Sequence, residues 1–175
     1  MESLSMLGQK ISIIGTSNSG KSTLATYLAK KMDIECFHLD QLAFIPSTNW
    51  VRRSEIEFIN DHDHLLHNDS WIIEGNYSSC MKQRFDQSDS VIWLDSSVYS
   101  CLYRYIARAI KNDSNRPGRL AGATKEFNFD MVKHILFVYP KLRKKYSSIL
   151  SDTNTSPLKV RSMRELNSYY KYWEL

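Results

Sequence analysis

Short apolar runs recur along the chain, separated by stretches in which hydrophobic residues return every three or four positions. The runs are ISII (11–14), ECFHLD (35–40), WIIEG (71–75), VIWLD (91–95) and LKVR (158–161). Strand-like runs rich in Ile and Val that alternate with helical periods predict an α/β fold with a parallel sheet covered on both faces. The helical stretches carry their own start signals. RRSEIEFINDHDHLLHN opens with Ser54 and Glu57 at capping-box spacing, and RSMRELNSYYKYW does the same with Ser162 and Glu165. In LATYLAKKM, Leu24, Leu28 and Met32 fall at i, i+4 and i+8, on one helix face.

One passage breaks the alternation. KNDSNRPGRLAGATKE (111–126) holds Pro117, Gly118 and Gly122, has little periodicity, and predicts a long mobile loop within the domain. FDMVKHILFVYPKLRKKYSSIL then resumes as a helix expected to kink or break near Pro140.

The length of 175 residues fits one domain, 1–175, with a sizeable core. No apolar stretch approaches the ~18 residues of a membrane span. MESLSMLGQK lacks a basic segment followed by an apolar one, so a secretory signal is not expected, and the first nine residues read as loose. Cys36, Cys80 and Cys101 are odd in number and widely spaced, which suggests neither a disulfide framework nor a zinc site and fits a reducing cytoplasm. Net charge is +4, but residues 101–145 hold eleven Lys+Arg against three Asp+Glu, a local excess of +8. Such a segment implies a locally anionic partner, either a polyphosphate or a nucleic-acid backbone.

The first apolar run leads into GTSNSGKST. Gly15 through Ser22 match G-x-x-x-x-G-K-[ST] at every fixed position, between an apolar strand and a helical period. Gly15 and Gly20 permit backbone shapes that a Cβ opposes, so the amides of Ser17, Asn18, Ser19 and their neighbours can turn inward as an anion nest. The helix that follows adds its positive end. Lys21 can reach the β- and γ-phosphates, the Ser22 hydroxyl can ligate Mg²⁺, and Thr23 is placed for the α-phosphate. No N-K-x-D or D-x-x-G switch accompanies the loop, which argues against a GTPase.

Other residues have weaker claims. Asp40 ends the second apolar run, where ligands of open α/β sheets bind, or else it caps the segment QLAF. Asp95 ends VIWLD as a metal candidate or, more simply, a helix cap. Arg104 and Arg108, four apart, lie beside an apolar stripe of Val98, Cys101, Leu102, Tyr105, Ile106 and Ala109. NDHDHLLHND offers three histidines, but His62 and His64 face opposite ways and His64 and His67 lack a third ligand, so a polar exposed helix end is expected.

The order GTSNSGKST, FHLD, WIIEGNY, VIWLD, CLYRYIARAIK and RPG resembles the adenylate-kinase-like P-loop proteins, and among them the DNA topology modulation group. The resemblance runs from about Lys10 to Tyr170. It implies a three-layer P-loop fold with a five-stranded parallel sheet in the order 2-3-1-4-5, an acceptor-side insertion at about 41–68 and a short lid at about 111–126. It implies Mg²⁺ and ATP as cofactors. Glu74 would order the metal's water shell, and Asp40 would contact or deprotonate the acceptor. Arg104 and Arg108 would clamp the transferred phosphoryl group, joined by Arg116 and Arg119 from the lid and Arg143 from the returning helix. The acceptor side departs from adenylate kinases: HLDQLAFIPSTNWVRR and EGNYSSCMKQR replace the TG and DGFPR segments. The expected pocket is aromatic, with Phe44, Trp50, Gly75 and Tyr77, and Arg84 is placed either to bind an acceptor anion or at the surface. A cytoplasmic phosphotransferase on a small-molecule or nucleotide acceptor is the leading expectation. The alternative is a nucleotide-switched nucleic-acid-binding regulator with slow ATPase activity.

Overall fold

The computed structural model describes residues 1–48, 50–111, 117–118, 127–153 and 155–175. Five strands, β1 (Lys10–Gly15), β2 (Cys36–His38), β3 (Trp71–Glu74), β4 (Ser90–Leu94) and β5 (Leu158–Val160), form one sheet in the order β2-β3-β1-β4-β5. Every neighbouring pair is parallel, as expected from the sequence. The crossovers are helical, α1 (Lys21–Met32), α2 (Leu39–Ala43), α3 (Glu55–Leu66), α4 (Met81–Asp86), α5 (Val98–Lys111), α6 (Phe129–Lys133) and α7 (Tyr139–Ser151), and α8 (Met163–Tyr172) follows the last strand.

Two-sided burial explains why the strands read as apolar runs rather than alternations. Ile11 and Ile13 of β1 pack with Ile72 and Ile92 against Leu24 and Leu28 of α1 and Leu166 and Tyr169 of α8. Ile14 enters the opposite layer with Val91 and Trp93, under Met81 and Phe85 of α4 and Tyr139, Tyr146 and Leu150 of α7. Ser12 is the polar exception in β1; it is fully buried, and its hydroxyl meets that of Ser88 at 2.8 Å. A third cluster seats α2 and α3 on Trp71 and Ile73, which fixes the insertion beside the edge of the sheet.

Local chemistry corrects several expectations. The first nine residues are tied down: Leu7 is fully buried, Asp89 Oδ2 accepts from the amides of Gln9 and Lys10, and Trp173 Nε1 donates to the Glu2 carbonyl. The Ser162 hydroxyl caps α8 through the Glu165 amide at 3.1 Å, while Glu165 reaches back to the Arg161 amide. Ser54 stands at the N-cap of α3 without a side-chain cap bond. Asp95 does not cap α5; the Ser97 hydroxyl does, accepting from the Ser100 amide. Pro140 does not break its helix. A five-residue π-helical segment, His134–Val138, precedes it and leads directly into α7, absorbing the register change that a ring lacking an N–H imposes. Among the described residues the three cysteines are free thiols, and no helix is long and apolar enough to cross a membrane.

Candidate active site

The loop between β1 and α1 stands at the carboxyl ends of the strands. Asn18 (φ 64°) and Gly20 (φ 101°) adopt left-handed backbone. Gly15 (φ 149°) passes so close to β4 that a Cβ would stand 2.4 Å from the Leu94 carbonyl oxygen. Asn76, just after β3, clamps it from the other side: Oδ1 accepts from the Gly15 amide at 3.1 Å and Nδ2 donates to its carbonyl. Thr16 Oγ1, Asn18 Nδ2 and Ser19 Oγ are buried polar atoms without a protein partner. A loop of turned-in backbone that gathers unspent hydrogen-bonding atoms at a helix start fits a chain of phosphates. Lys21 Nζ donates to the Thr16 carbonyl at 3.2 Å, folded back over the loop, and Thr23 is exposed in the first turn of α1. The amide of Ser17 lies in the same loop.

Ser22 turns toward the sheet. Its hydroxyl donates to Glu74 Oε1 at 2.8 Å, and His38 Nδ1 meets the same oxygen at 2.9 Å. The register explains the meeting, since His38 of β2 and Glu74 of β3 are paired at the last positions of their strands. Burial alone would raise the Glu74 pKa, but the His38 bond and the nearby Lys21 charge hold it below the usual carboxylate range. Burial would lower His38; the Cys36 thiol and Glu74 outweigh it and push the imidazole up to about 10. A hydroxyl and a carboxylate side by side next to the loop are hard oxygen donors of the kind that Mg²⁺ takes, so the donor set fits that ion. The sequence reading overlooked His38, although matching the ends of the second and third strands would have set it beside Glu74.

The side expected to take an acceptor is built around Asp40 in the first turn of α2. Tyr77 donates its hydroxyl to Asp40 Oδ1 at 2.7 Å. Asp40 keeps an open side to solvent, yet its enclosure by protein and the Glu74 charge push its pKa up. Phe44 and Arg52 pair as an antiparallel bridge that closes a hairpin, and Trp50 (φ 60°) sits near its tip with its ring edge-on to Phe44 at 5.2 Å. Phe58 packs on Tyr77 at 4.7 Å. The Arg52 guanidinium lies over both Phe44 (5.8 Å) and Tyr77 (5.9 Å), and no carboxylate among the described residues pairs with it. Arg52 was absent from the expected set.

Arg84, by contrast, is neither at the surface nor open to a ligand. It is fully buried, with Nη2 donating to the Gly75 carbonyl at 2.8 Å while Nε and Nη1 lack a partner. Its role is to hold Gly75, whose φ of 142° and contact with Leu39 set the bend after β3. The sequence could not tell an arginine facing inward from one facing out on the short helix α4.

Of the expected arginines, Arg104 is brought to the phosphate loop. A Cβ on Gly20 would lie 3.3 Å from Arg104 Nη2, and Nη1 rests on the Met163 sulfur. Arg108 lies over the Tyr105 ring at 5.6 Å. Arg143 is engaged by Asp95 Oδ2, so both residues of that pair are committed to each other. Arg116 and Arg119 lie outside the described residues. The two residues they enclose are described: Gly118 reaches the loop, where a Cβ would stand 2.8 Å from Ser22 Oγ and 3.1 Å from His38 Nδ1. His62 is not at a polar exposed helix end; it is fully buried, and no group of three or more His, Cys, Asp or Glu side chains that could hold a metal occurs among the described residues.

No family model matches the chain, and no curated protein matches it. Solved structures do. The chain is similar to shikimate kinase from Bacteroides thetaiotaomicron at 13% identity and a TM-score of 0.51, over 94% of this chain and 98% of that one. It is also similar to a protein of Chloroflexus aurantiacus j-10-fl proposed to be a kinase, at 16% identity and a TM-score of 0.50, over 95% and 98% of the two chains. At such identities the likeness establishes the fold. It is the three-layer α/β fold of P-loop kinases.

Proposed function

We propose that the chain is a phosphotransferase that moves the γ-phosphoryl group of ATP to a small acceptor bearing a hydroxyl and an anionic group. The observation that carries this reading is the convergence of Ser22, Glu74 and His38 beside the loop, with Asp40 close enough to feel the charges of both Glu74 and Lys21. Ser22 and Glu74 would hold Mg²⁺, directly and through water, and the bound ion would neutralise charge on the β- and γ-phosphates. The loop amides and Lys21 orient the phosphates. Asp40 faces the acceptor, and its raised pKa makes it a stronger base than an exposed aspartate. The acceptor oxygen bonds to the γ-phosphorus, its proton passes to Asp40, and the bond to the β–γ bridging oxygen breaks to release ADP. Arg104, over Gly20, is positioned to offset charge as that bond breaks.

The aromatic wall of Phe44, Trp50 and Tyr77 gives the acceptor an apolar contact. Arg52, held over Phe44 and Tyr77 with no carboxylate partner among the described residues, supplies a cation for its anionic end. The test is ADP release across nucleoside monophosphates, hydroxy acids, sugar phosphates, neutral sugars and alcohols, with Lys21→Ala as the blank. Turnover is expected with anionic acceptors, absent in Lys21→Ala, and raised in KM by Arg52→Gln. Equal turnover in the Lys21 variant would refute the proposal.

A further inference from the structure

We infer that the outer face of α5 is a self-association surface that pairs two copies of this chain antiparallel about a two-fold axis. The inference does not depend on the proposed activity. From Val98 to Ile110, the exposed side chains are Tyr99, Tyr103, Ile106 and Ile110, at 81%, 75%, 43% and 80% exposure. A helix on the surface of a monomer normally turns charged residues outward. This one turns them inward, Arg104 to the phosphate loop and Arg108 over Tyr105. The sequence pattern had set Ile106 in the buried stripe; the structure buries Cys101 and Tyr105 and leaves Ile106 outside.

The spacing identifies the occupant. Steps of four, three and four make a two-heptad seam, the pattern that a facing helix fills. The seam also reads symmetrically from either end. Laid antiparallel on its own copy, it sets Tyr99 against Ile110 and Tyr103 against Ile106, so each aromatic ring meets a β-branched aliphatic side chain at every layer. A two-fold contact requires such self-complementarity. The flanks raise no obstacle, because Ser100, Leu102, Ala107 and Ala109 are uncharged and mostly small, so like charges do not face each other across the axis.

The area suffices. Two tyrosines that are three-quarters exposed, with the isoleucines, offer roughly 500 Å² on the scale of about 150–250 Å² per aromatic side chain. Two copies pairing through this face would together bury about 1,000 Å², the lower bound for a specific interface.

Sedimentation velocity on the full chain between about 1 and 100 µM, where interfaces of this size begin to associate, is the test. A monomer–dimer equilibrium is expected, and Tyr103→Glu should weaken it at least ~30-fold with the circular dichroism spectrum unchanged. A chain that stays monomeric, whether or not it binds neutral phospholipid vesicles, overturns the inference. So does a dimer that Tyr103→Glu leaves intact. Should that variant fail to fold, register is read by oxidation: a mixture of Tyr103→Cys and Ile106→Cys chains should crosslink far faster than either alone, with the unsubstituted chain as blank. Equal rates overturn the antiparallel pairing.

Discussion

The Ser22 hydroxyl donates to Glu74 Oε1 at 2.8 Å across 52 positions of sequence, and that oxygen also meets His38 Nδ1. The carboxylate is therefore fixed in orientation before any ligand arrives. Replacing Glu74 by Gln keeps its shape and an accepting oxygen but removes the charge. Glu74→Gln should lower turnover by about 10–100-fold and raise the Mg²⁺ concentration needed for half-activity. Nucleotide binding without Mg²⁺ should hardly change. A Mg²⁺ dependence identical to the parent's would take Glu74 off the metal side.

Tyr77→Phe addresses the proposed base. Enclosure and Glu74 raise the Asp40 pKa, whereas the Tyr77 hydrogen bond lowers it by stabilising the ionised form. Removing the hydroxyl should lift the pKa further. Because only ionised Asp40 can accept the proton in the proposed transfer, the acid limb of the pH–rate profile should move upward. A profile of kcat/KM recorded through neutral pH reads this directly, and a limb that stays in place would assign it to another group.

The sequence carried the sheet and its loop because both depend on repeating local rules. Two-sided burial writes Ile and Val runs into β1, β3 and β4, and a phosphate loop needs glycine at fixed places. Site residues set by tertiary contact were harder to read. Glu74 was legible through the family resemblance, but His38 depends on β2–β3 register. Arg84 was misplaced because a six-residue helix has no periodicity long enough to show which side faces the core. Arg52 escaped notice because its surroundings, Phe44 within the insertion and Tyr77 beyond β3, are far apart in sequence and meet only in the fold.

The two loop glycines should respond differently to alanine. At Gly15 the added Cβ meets a backbone carbonyl in the middle of the sheet at 2.4 Å, with left-handed φ as a second cost. Gly15→Ala should destabilise by about 3 kcal/mol or more and lower Tm by roughly 6–12 °C. At Gly20 the nearest atom, at 3.3 Å, is the far end of the Arg104 side chain, which can swing away. Gly20→Ala should therefore cost only about 1–2 kcal/mol in stability, while turnover falls through displacement of Arg104. Thermal unfolding and ADP release on both variants separate the two effects. Equal loss of stability would contradict the packing argument.

His62 should make the fold sensitive to mild acid. It is fully buried, its Nε2 has no partner, and burial together with the Arg84 charge lowers its pKa to about 4, against a weaker opposing pull from Asp63. The unfolded chain titrates at the ordinary value of 6.5 and so binds the proton first. Stability from this group is complete above pH 6.5 and is lost as pH falls toward 4, at up to about 1.4 kcal/mol per pH unit. Between pH 7 and 5 the loss amounts to about 2 kcal/mol. His62→Phe keeps a ring of similar shape beside Phe58 and cannot titrate, so denaturant unfolding of this variant should show a shallower fall over the same interval. Parallel pH profiles for parent and variant would mean that His62 titrates alike in the folded and unfolded chain.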